Sequence, residues 1–397
     1  MGWHVFVVDA DSYPVHRDRL FCGIKNPNKI SIMTRTGVSR PNSSYYGLIA
    51  DLVTLREGDF IIFYQMRKEE EKHDRGFRGI FKVVGKPFFD TSDIDGVSGS
   101  IGALGSQGKK VLGKCPSCNT DLSEEADATT GDKICRNCGT KLDYHILPNR
   151  ILIEPVKLFE DPIDDNTAYI DRNFIKNDLP VLWTMLFRKT SGAGRARSIT
   201  HILPEEYRKL AKIFETNCKV ATSTHFHAYH PSAPQQIIIP LTTDSNGELK
   251  VEAFLEAWMM ENIDKNMPIL RDIIGNPDEL EYFGNNVLYG IGGEKVDILC
   301  IHKRSSQRTK ATVIELKKGS LTEGDVEQIY DYTKWMSQLV FGDDTMASKQ
   351  KIQPVLIGFQ ASPKVIAFAK KMITDTQQPI LLTYKIDNGT IKFTKVL

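Results

Sequence analysis

The stretch 294-EKVDILCIHKRSSQRTKATVIELKKGSLTEGDVEQIYDYTKW-335 decides how this chain is read. Its pattern predicts a strand, a polar turn, a second strand, a short loop and an amphipathic helix. Side chains alternate faces along a strand, so Val313, Glu315 and Lys317 share one face while Ile314 and Leu316 share the other. Asp297 falls on the face of Leu299 and Ile301, inside an otherwise apolar run. Two carboxylates and an amine in strands of this kind are costly to bury unless something pairs with them. A divalent cation is the partner that hard oxygen ligands favour, and a nearby lysine orients a water beside it. An ion pair at a strand end is the plainer alternative.

Asp297 followed by Glu315-Leu316-Lys317 resembles the PD-(D/E)XK nuclease superfamily, and Gln328-Ile329-Tyr330-Asp331-Tyr332 fits the QxxxY helix of its RecB-like branch. The wider pattern GEKVDILCI…VIELKKG…VEQIYDYTKW is similar to the archaeal and bacterial mismatch- and flap-cutting endonucleases of that branch. The resemblance spans about residues 250–395. Glu-x-Lys alone is uninformative, because Glu70-Glu71-Lys72 and Glu248-Leu249-Lys250 also fit. The third occurrence differs in having an apolar strand with an Asp upstream and a Gln-x-x-x-Tyr helix downstream. The superfamily places a first acidic residue on a preceding helix. Here Val251, Phe254, Leu255, Trp258 and Met259 predict one apolar helix face, flanked by Glu252 and Glu256 one turn apart. Glu252 is the first choice and Glu256 the second. Asn262 is not followed by proline, and the connection to Asp297 is longer than the resemblance leads one to expect.

Bulk properties set the frame. At 397 residues the chain predicts two or three domains of about 100–200 residues each. The formal net charge of +1 leaves any affinity for nucleic acid to local patches rather than a global field. No apolar run reaches the length of a membrane span, and the N-terminus lacks the shape of a signal peptide, which predicts a cytoplasmic protein without a membrane partner. Of seven cysteines, four fall in two CxxC pairs, which is metal arithmetic rather than a disulfide framework.

Toward the N-terminus, Trp3–Val8, Phe60–Tyr64 and Gly79–Val84 read as strands, with a short helix over Tyr45–Leu55, and residues up to about 43 read as turns. Leu55–Tyr64, Arg78–Val84 and Arg150–Val156 with Asp161-Pro162-Ile163 resemble EVE-type domains of the PUA superfamily, small β-barrels akin to YTH and EVE readers. The resemblance implies a pocket for a flipped or modified base. A base needs aromatic faces to stack on, and Trp3, Tyr46, Tyr64 and Trp183 are the candidate walls. Between the halves of this domain, Cys115-x-x-Cys118 and Cys135-x-x-Cys138 lie 16 residues apart, the spacing of a four-cysteine structural Zn²⁺ ribbon. Arg188, Lys189, Arg195 and Arg197 sit in a glycine-containing loop suited to phosphate contact. No Gly-Lys-Ser/Thr follows, which excludes a P-loop. His225-x-His227-x-x-His230 reads as connecting sequence rather than a metal site.

The expected fold is therefore α/β, with a reader domain over 1–217 (ribbon at 113–145), a linker over 218–235, and a mixed-sheet nuclease core over 236–397. The resemblance implies a metal-dependent endodeoxyribonuclease. Asp297, Glu315 and the helix glutamate would hold Mg²⁺ or Mn²⁺, Lys317 would orient a water, and Gln328 and Tyr332 would steady the site. Double-stranded DNA is the expected partner. The reader domain is expected to direct cutting to modified bases, as modification-dependent restriction; repair of mismatched, flap or branched DNA and non-catalytic reading are the alternatives. The sequence leaves open whether a homodimer forms and whether RNA is cut.

Overall fold

The computed structural model describes residues 2–8, 12–24, 31–33, 39–66, 76–90, 133–134, 137, 141–142, 147–164, 167–168, 198–217, 219–221, 226–231, 234–289, 294–372 and 375–397. The chain divides into two compact units. Residues 1–170, 197–199 and 211–238 form one, and residues 171–196, 200–210 and 239–397 form the other.

The first unit is built on a mixed sheet. Its strands are β1 (Trp3–Val8), β2 (Phe21–Ile24), β3 (Phe60–Gln65), β4 (Gly76–Phe89) and β5 (Asn149–Lys157), in the order β1-β3-β4-β5-β2. β1 pairs parallel with β3, whereas the other pairs are antiparallel. Ile61, Ile62 and Phe63 are each 0% exposed. β3 is thus buried on both faces, which is why its sequence reads as a continuous apolar run rather than an alternation. Helices α1 (Ser12–Arg19) and α2 (Ser43–Leu52) complete the frame, α2 starting at an Asn42 side-chain cap. Two expectations are corrected here. The segment read as turns up to residue 43 contains α1 and β2. The expected small barrel is an open sheet among the described residues, because β2 ends the strand order with β5 as its one neighbour there, and closure requires the end strands to pair.

A buried polar knot holds β5 in this unit. Arg150 is 0% exposed, donates to the Leu147 carbonyl (2.7 Å) and to the Tyr229 hydroxyl (2.6 Å), and lies near Asp90, to which Tyr229 also donates. The backbone N–H groups of His227 and Tyr229 donate to the Asp18 and Arg19 carbonyls. The stretch read as a linker thus carries a buried tyrosine that docks on this unit.

The second unit holds a six-stranded mixed sheet in sequence order: β6 (Leu280–Tyr289), β7 (Glu294–Arg304), β8 (Gln307–Leu316), β9 (Ile352–Gly358), β10 (Ile380–Asp387) and β11 (Thr390–Lys395). β6, β7 and β8 run antiparallel, β8, β9 and β10 parallel, and β11 returns antiparallel. Parallel neighbours need a crossover, normally a helix. α5 (Glu323–Phe341) supplies one between β8 and β9, and α6 (Pro363–Lys371) the next. Val326, Ile329, Met336 and Val340 of α5 bury against Leu299, Ile301, Ala311 and Val313. A capping box of Thr322 and Asp325 starts α5, and Gly342 in the left-handed conformation (φ +80°) ends it.

α3 (Glu252–Asn262) buries Ala253, Ala257 and Met260 as well as the predicted stripe, so it is apolar nearly all round rather than on one face. The long connection to Asp297 is occupied by α4 (Pro268–Ile273) and by β6, which the sequence reading left without structure. The apolar run Ile237-Ile238-Ile239-Pro240-Leu241 reads as a strand, but the strand here is Gln235–Gln236, before it, and Ile238 is 81% exposed.

Candidate active site

β7 runs opposite to β8, so the start of one and the end of the other share one end of the sheet. The last register pair is Ile298↔Ile314; one step further, Asp297 comes opposite Glu315. At that point the strands part, and the Asp297 carboxylate accepts the Leu316 N–H at 2.7 Å in place of a backbone carbonyl. The chain leaves β8 through Lys317 and re-enters α5 at Glu323, which brings Gln328 back over the same end. Lys317 Nζ donates to Glu315 Oε1 at 2.7 Å and to Gln328 Oε1 at 3.4 Å, with Asp325 at 3.6 Å. The Gln328 carboxamide in turn donates to the Tyr332 hydroxyl.

α3 contributes from the other side. Glu252 Oε2 accepts the Lys318 N–H at 3.1 Å, while Glu256 Oε1 accepts from Asn285 and Asn286 at 2.7 and 2.5 Å. Tyr384 ties the loop after β8 to this wall by donating to the Lys318 carbonyl and accepting the Leu249 N–H.

The electrostatics follow from burial. Desolvation pushes the Asp297 carboxyl well above its ordinary value, and the Glu315 charge adds to the effect against the opposing Leu316 N–H. Burial also raises Glu315, partly offset by Lys317. Glu252 is raised by burial, with Lys317 opposing. Two carboxylates in one desolvated spot cannot both ionise cheaply without a counter-charge. Burial works against the Lys317 ammonium, yet its bond to Glu315 and the charges of Glu315, Asp325 and Asp297 outweigh that cost and raise its pKa. Lys317 therefore remains charged and offers no free base at neutral pH.

Do these residues fit a divalent cation? Glu315 Oε2 is buried with no hydrogen-bond partner, an orphaned hard oxygen facing a second carboxylate. Among the described residues no three His, Cys, Asp or Glu side chains form a ready metal cage. Mg²⁺ does not need one, since it is commonly held by one or two carboxylates plus waters and substrate phosphate oxygens. The donor set fits on that basis.

The structure thus brings together Asp297, Glu315, Lys317 and Gln328, with Tyr332 behind Gln328 and Glu252 and Glu256 on the flanking helix. It does not gather the proposed base walls. Trp3 stacks on Phe60 (4.4 Å between centroids), and Tyr64 is 2% exposed against Phe77. Phe60 and Tyr64 lie four residues apart on β3, which separates the two groups by about 13 Å. Tyr46 packs edge-on against Tyr45 in α2. Tyr46 and Tyr64 are thus buried, whereas Trp3 is half-buried. Trp183, Arg188, Lys189, Arg195, Arg197, His225 and the four zinc-ribbon cysteines lie outside the described residues. Sequence reasoning missed Asn285, Asn286 and Asp325. Asp325 had a signal in the Thr322-x-x-Asp325 capping pattern, whereas the asparagine pair had none.

No family model matches the chain, and no curated protein is similar to it. Among solved structures, a hypothetical protein from Leishmania major aligns over 54% of this chain and 95% of its own, at 12% identity and a TM-score of 0.28. A protein from Pseudomonas syringae aligns over 53% and 98% at 13% identity and 0.25. One from Pseudomonas putida aligns over 53% and 98% at 11% identity and 0.25. At these TM-scores the likeness carries no argument. No described helix is long and apolar enough to cross a membrane.

Proposed function

We propose that the second unit is a metal-dependent DNA endonuclease of PD-(D/E)XK type, hydrolysing phosphodiester bonds. The observation that carries the reading is the buried, unpartnered Glu315 Oε2 beside Asp297 and the charged Lys317. Asp297 and Glu315 are the residues that would hold Mg²⁺ or Mn²⁺, with Glu252 of α3 flanking them from the Lys318 N–H. When bound, the cation lowers the pKa of a water and neutralises charge building on the phosphoryl oxygens. Lys317, held by Glu315 and Gln328, directs an ammonium at the incoming phosphate or water. Gln328 fixes the direction of Lys317, and Tyr332 fixes Gln328. Asp325 balances the ammonium and starts the helix that carries both.

The first unit, with its resemblance to PUA and EVE readers, would select the target, giving modification-dependent restriction. Repair of mismatched or branched DNA by the same site is the alternative. A Zn²⁺ ribbon is part of this reading. In support, Lys133–Ile134 and Lys141–Leu142, which flank the second CxxC in sequence, pair antiparallel.

The test is cleavage of a panel of methylated, hydroxymethylated, unmodified, mismatched and flap duplexes with Mg²⁺, beside Glu315→Ala protein. Cutting by wild type at least 10³-fold above the variant, with DNA affinity retained in both, is the expected result (about 4 kcal/mol of transition-state stabilisation). Equal binding with no cutting by either leaves a non-catalytic reader. Preference for unmodified flaps would replace restriction with repair.

A further inference from the structure

We propose, resting on the cation-site reading above, that Glu256 is a positioning residue rather than a cation ligand. Clamped by Asn285 and Asn286, it sets the separation between the helix carboxylate Glu252 and the strand carboxylate Asp297.

The geometry has four corners. Glu252 and Glu256 are one turn apart on α3 and share a flank. Glu256 Oε1 receives both carboxamides, from Asn285 at 2.7 Å and Asn286 at 2.5 Å. The register pairs Asn285↔Ile298 and Val287↔Val296 bracket Asn286 and skip it, so Asn286 stands opposite Asp297. Asp297 closes the frame through its bond to the Leu316 N–H, next to Lys318, whose own N–H binds Glu252. The clamp therefore joins the helix turn below Glu252 to the strand position across from Asp297.

Asn286 is built for this task. It sits mid-strand in the left-handed region (φ +52°), a conformation that asparagine tolerates better than other side-chain-bearing residues. Its Oδ1 accepts Lys295 Nζ at 3.0 Å, which fixes the carboxamide with its NH₂ toward Glu256. Glu256 Oε1 already receives two donors, whereas Glu315 Oε2 receives none. A cation placed among these carboxylates meets a bare oxygen on Glu315 and an occupied one on Glu256. Partners that orient a ligand without touching the metal change its affinity by about 10–100-fold when removed.

The experiment titrates Mn²⁺ into the DNA-free full-length chain by calorimetry, with a thermal melt for each variant. Asn286→Gly deletes the carboxamide while accepting φ +52° without strain. Glu256→Ala deletes the acceptor, and Glu256→Gln keeps an oxygen for the asparagines but removes the charge. Asn286→Gly and Glu256→Ala are expected to weaken Mn²⁺ binding about 10–100-fold at an unchanged melting temperature, with Glu256→Gln recovering most of the loss. If Glu256→Gln is as weak as Glu256→Ala while Asn286→Gly binds like wild type, Glu256 is a ligand and the positioning role is wrong. Unchanged affinity in all three variants also overturns it. A wild-type chain that binds no Mn²⁺ is a separate failure, that of the cation-site reading itself, and it removes the clamp's purpose with it.

Discussion

Asp297 and Glu315 are each more easily protonated in the folded chain than in the unfolded one, because burial disfavours both charges and the Glu315 charge adds to the effect at Asp297. A carboxyl with a raised folded pKa contributes stability that is complete below the ordinary carboxylate value of about 4 and is lost as pH rises through the raised value. At neutral pH without a cation, this end of the sheet is thus a liability. Asp297→Asn is expected to stabilise the cation-free chain at pH 7 by about 1–2 kcal/mol, within the range seen when strained functional sites are relieved. The gain over wild type should shrink toward zero as melts are repeated down to pH 4, and added Mg²⁺ should stabilise wild type but not the variant. A gain independent of pH would refute the electrostatic origin. The chemistry at this scale was largely legible in advance. Asp, Glu and Lys at strand spacing announce themselves by their cost in an apolar run. The upward shift of both carboxyls was not legible, since it depends on how deeply the fold buries them.

Elements matter here through their ends. β8 donates twice to the C-terminal end of α4, from Lys310 Nζ to the Ile273 carbonyl (3.0 Å) and from Thr312 Oγ1 to the carbonyl of the capping Ile274 (3.2 Å). The next residue, Gly275, holds φ +129°, and a Cβ there would lie 2.9 Å from His302 Nε2. His302 is 2% exposed, and burial followed by the Lys310 charge pushes its pKa down to about 4, so the ring packs neutral. Gly275→Ala meets both the backbone restriction and the imidazole. It should cost about 1–3 kcal/mol, seen as a lower midpoint in urea with an unchanged slope. A neutral result would mean the segment moves aside freely. The strands β7 and β8 and helices α3 and α5 were readable from periodicity. β6 was not, because its Glu-Tyr-Phe-Gly-Asn-Asn run carries neither alternation nor a continuous apolar stretch. It becomes a strand by pairing with β7.

At the scale of the molecule the two units interleave along the chain, with residues 200–210 belonging to the second and 211–238 to the first. Leu203, 1% exposed, lies in the second unit's core, and Glu205 pairs with Arg308 at 2.6 Å. Arg308 also binds Glu281 (2.6 Å) and the Val340 carbonyl (2.7 Å), an anchor at the end of the sheet away from Asp297. Cutting the chain at 235/236, the boundary read from sequence, removes Leu203 and Glu205 from this unit. Stranding part of a buried ion pair costs about 3 kcal/mol, so fragment 236–397 should melt about 6–12 °C below the same unit in the intact chain. Differential scanning calorimetry checks it; an equal midpoint would show that 200–210 adds no stability.

Neighbouring residues alone marked Asp297, Glu315 and Lys317 as side chains that could afford no ordinary burial, and they also made the mixed α/β class readable. Those features are local: side-chain alternation, helix caps and charge within a strand are written in neighbouring residues. Only the pairing of distant segments settled that the first sheet stays open, that Tyr46 and Tyr64 are buried, and that two adjacent asparagines grip a helix glutamate. Each of these depends on which distant segments meet, and pairing across a sheet leaves no fixed spacing in the chain.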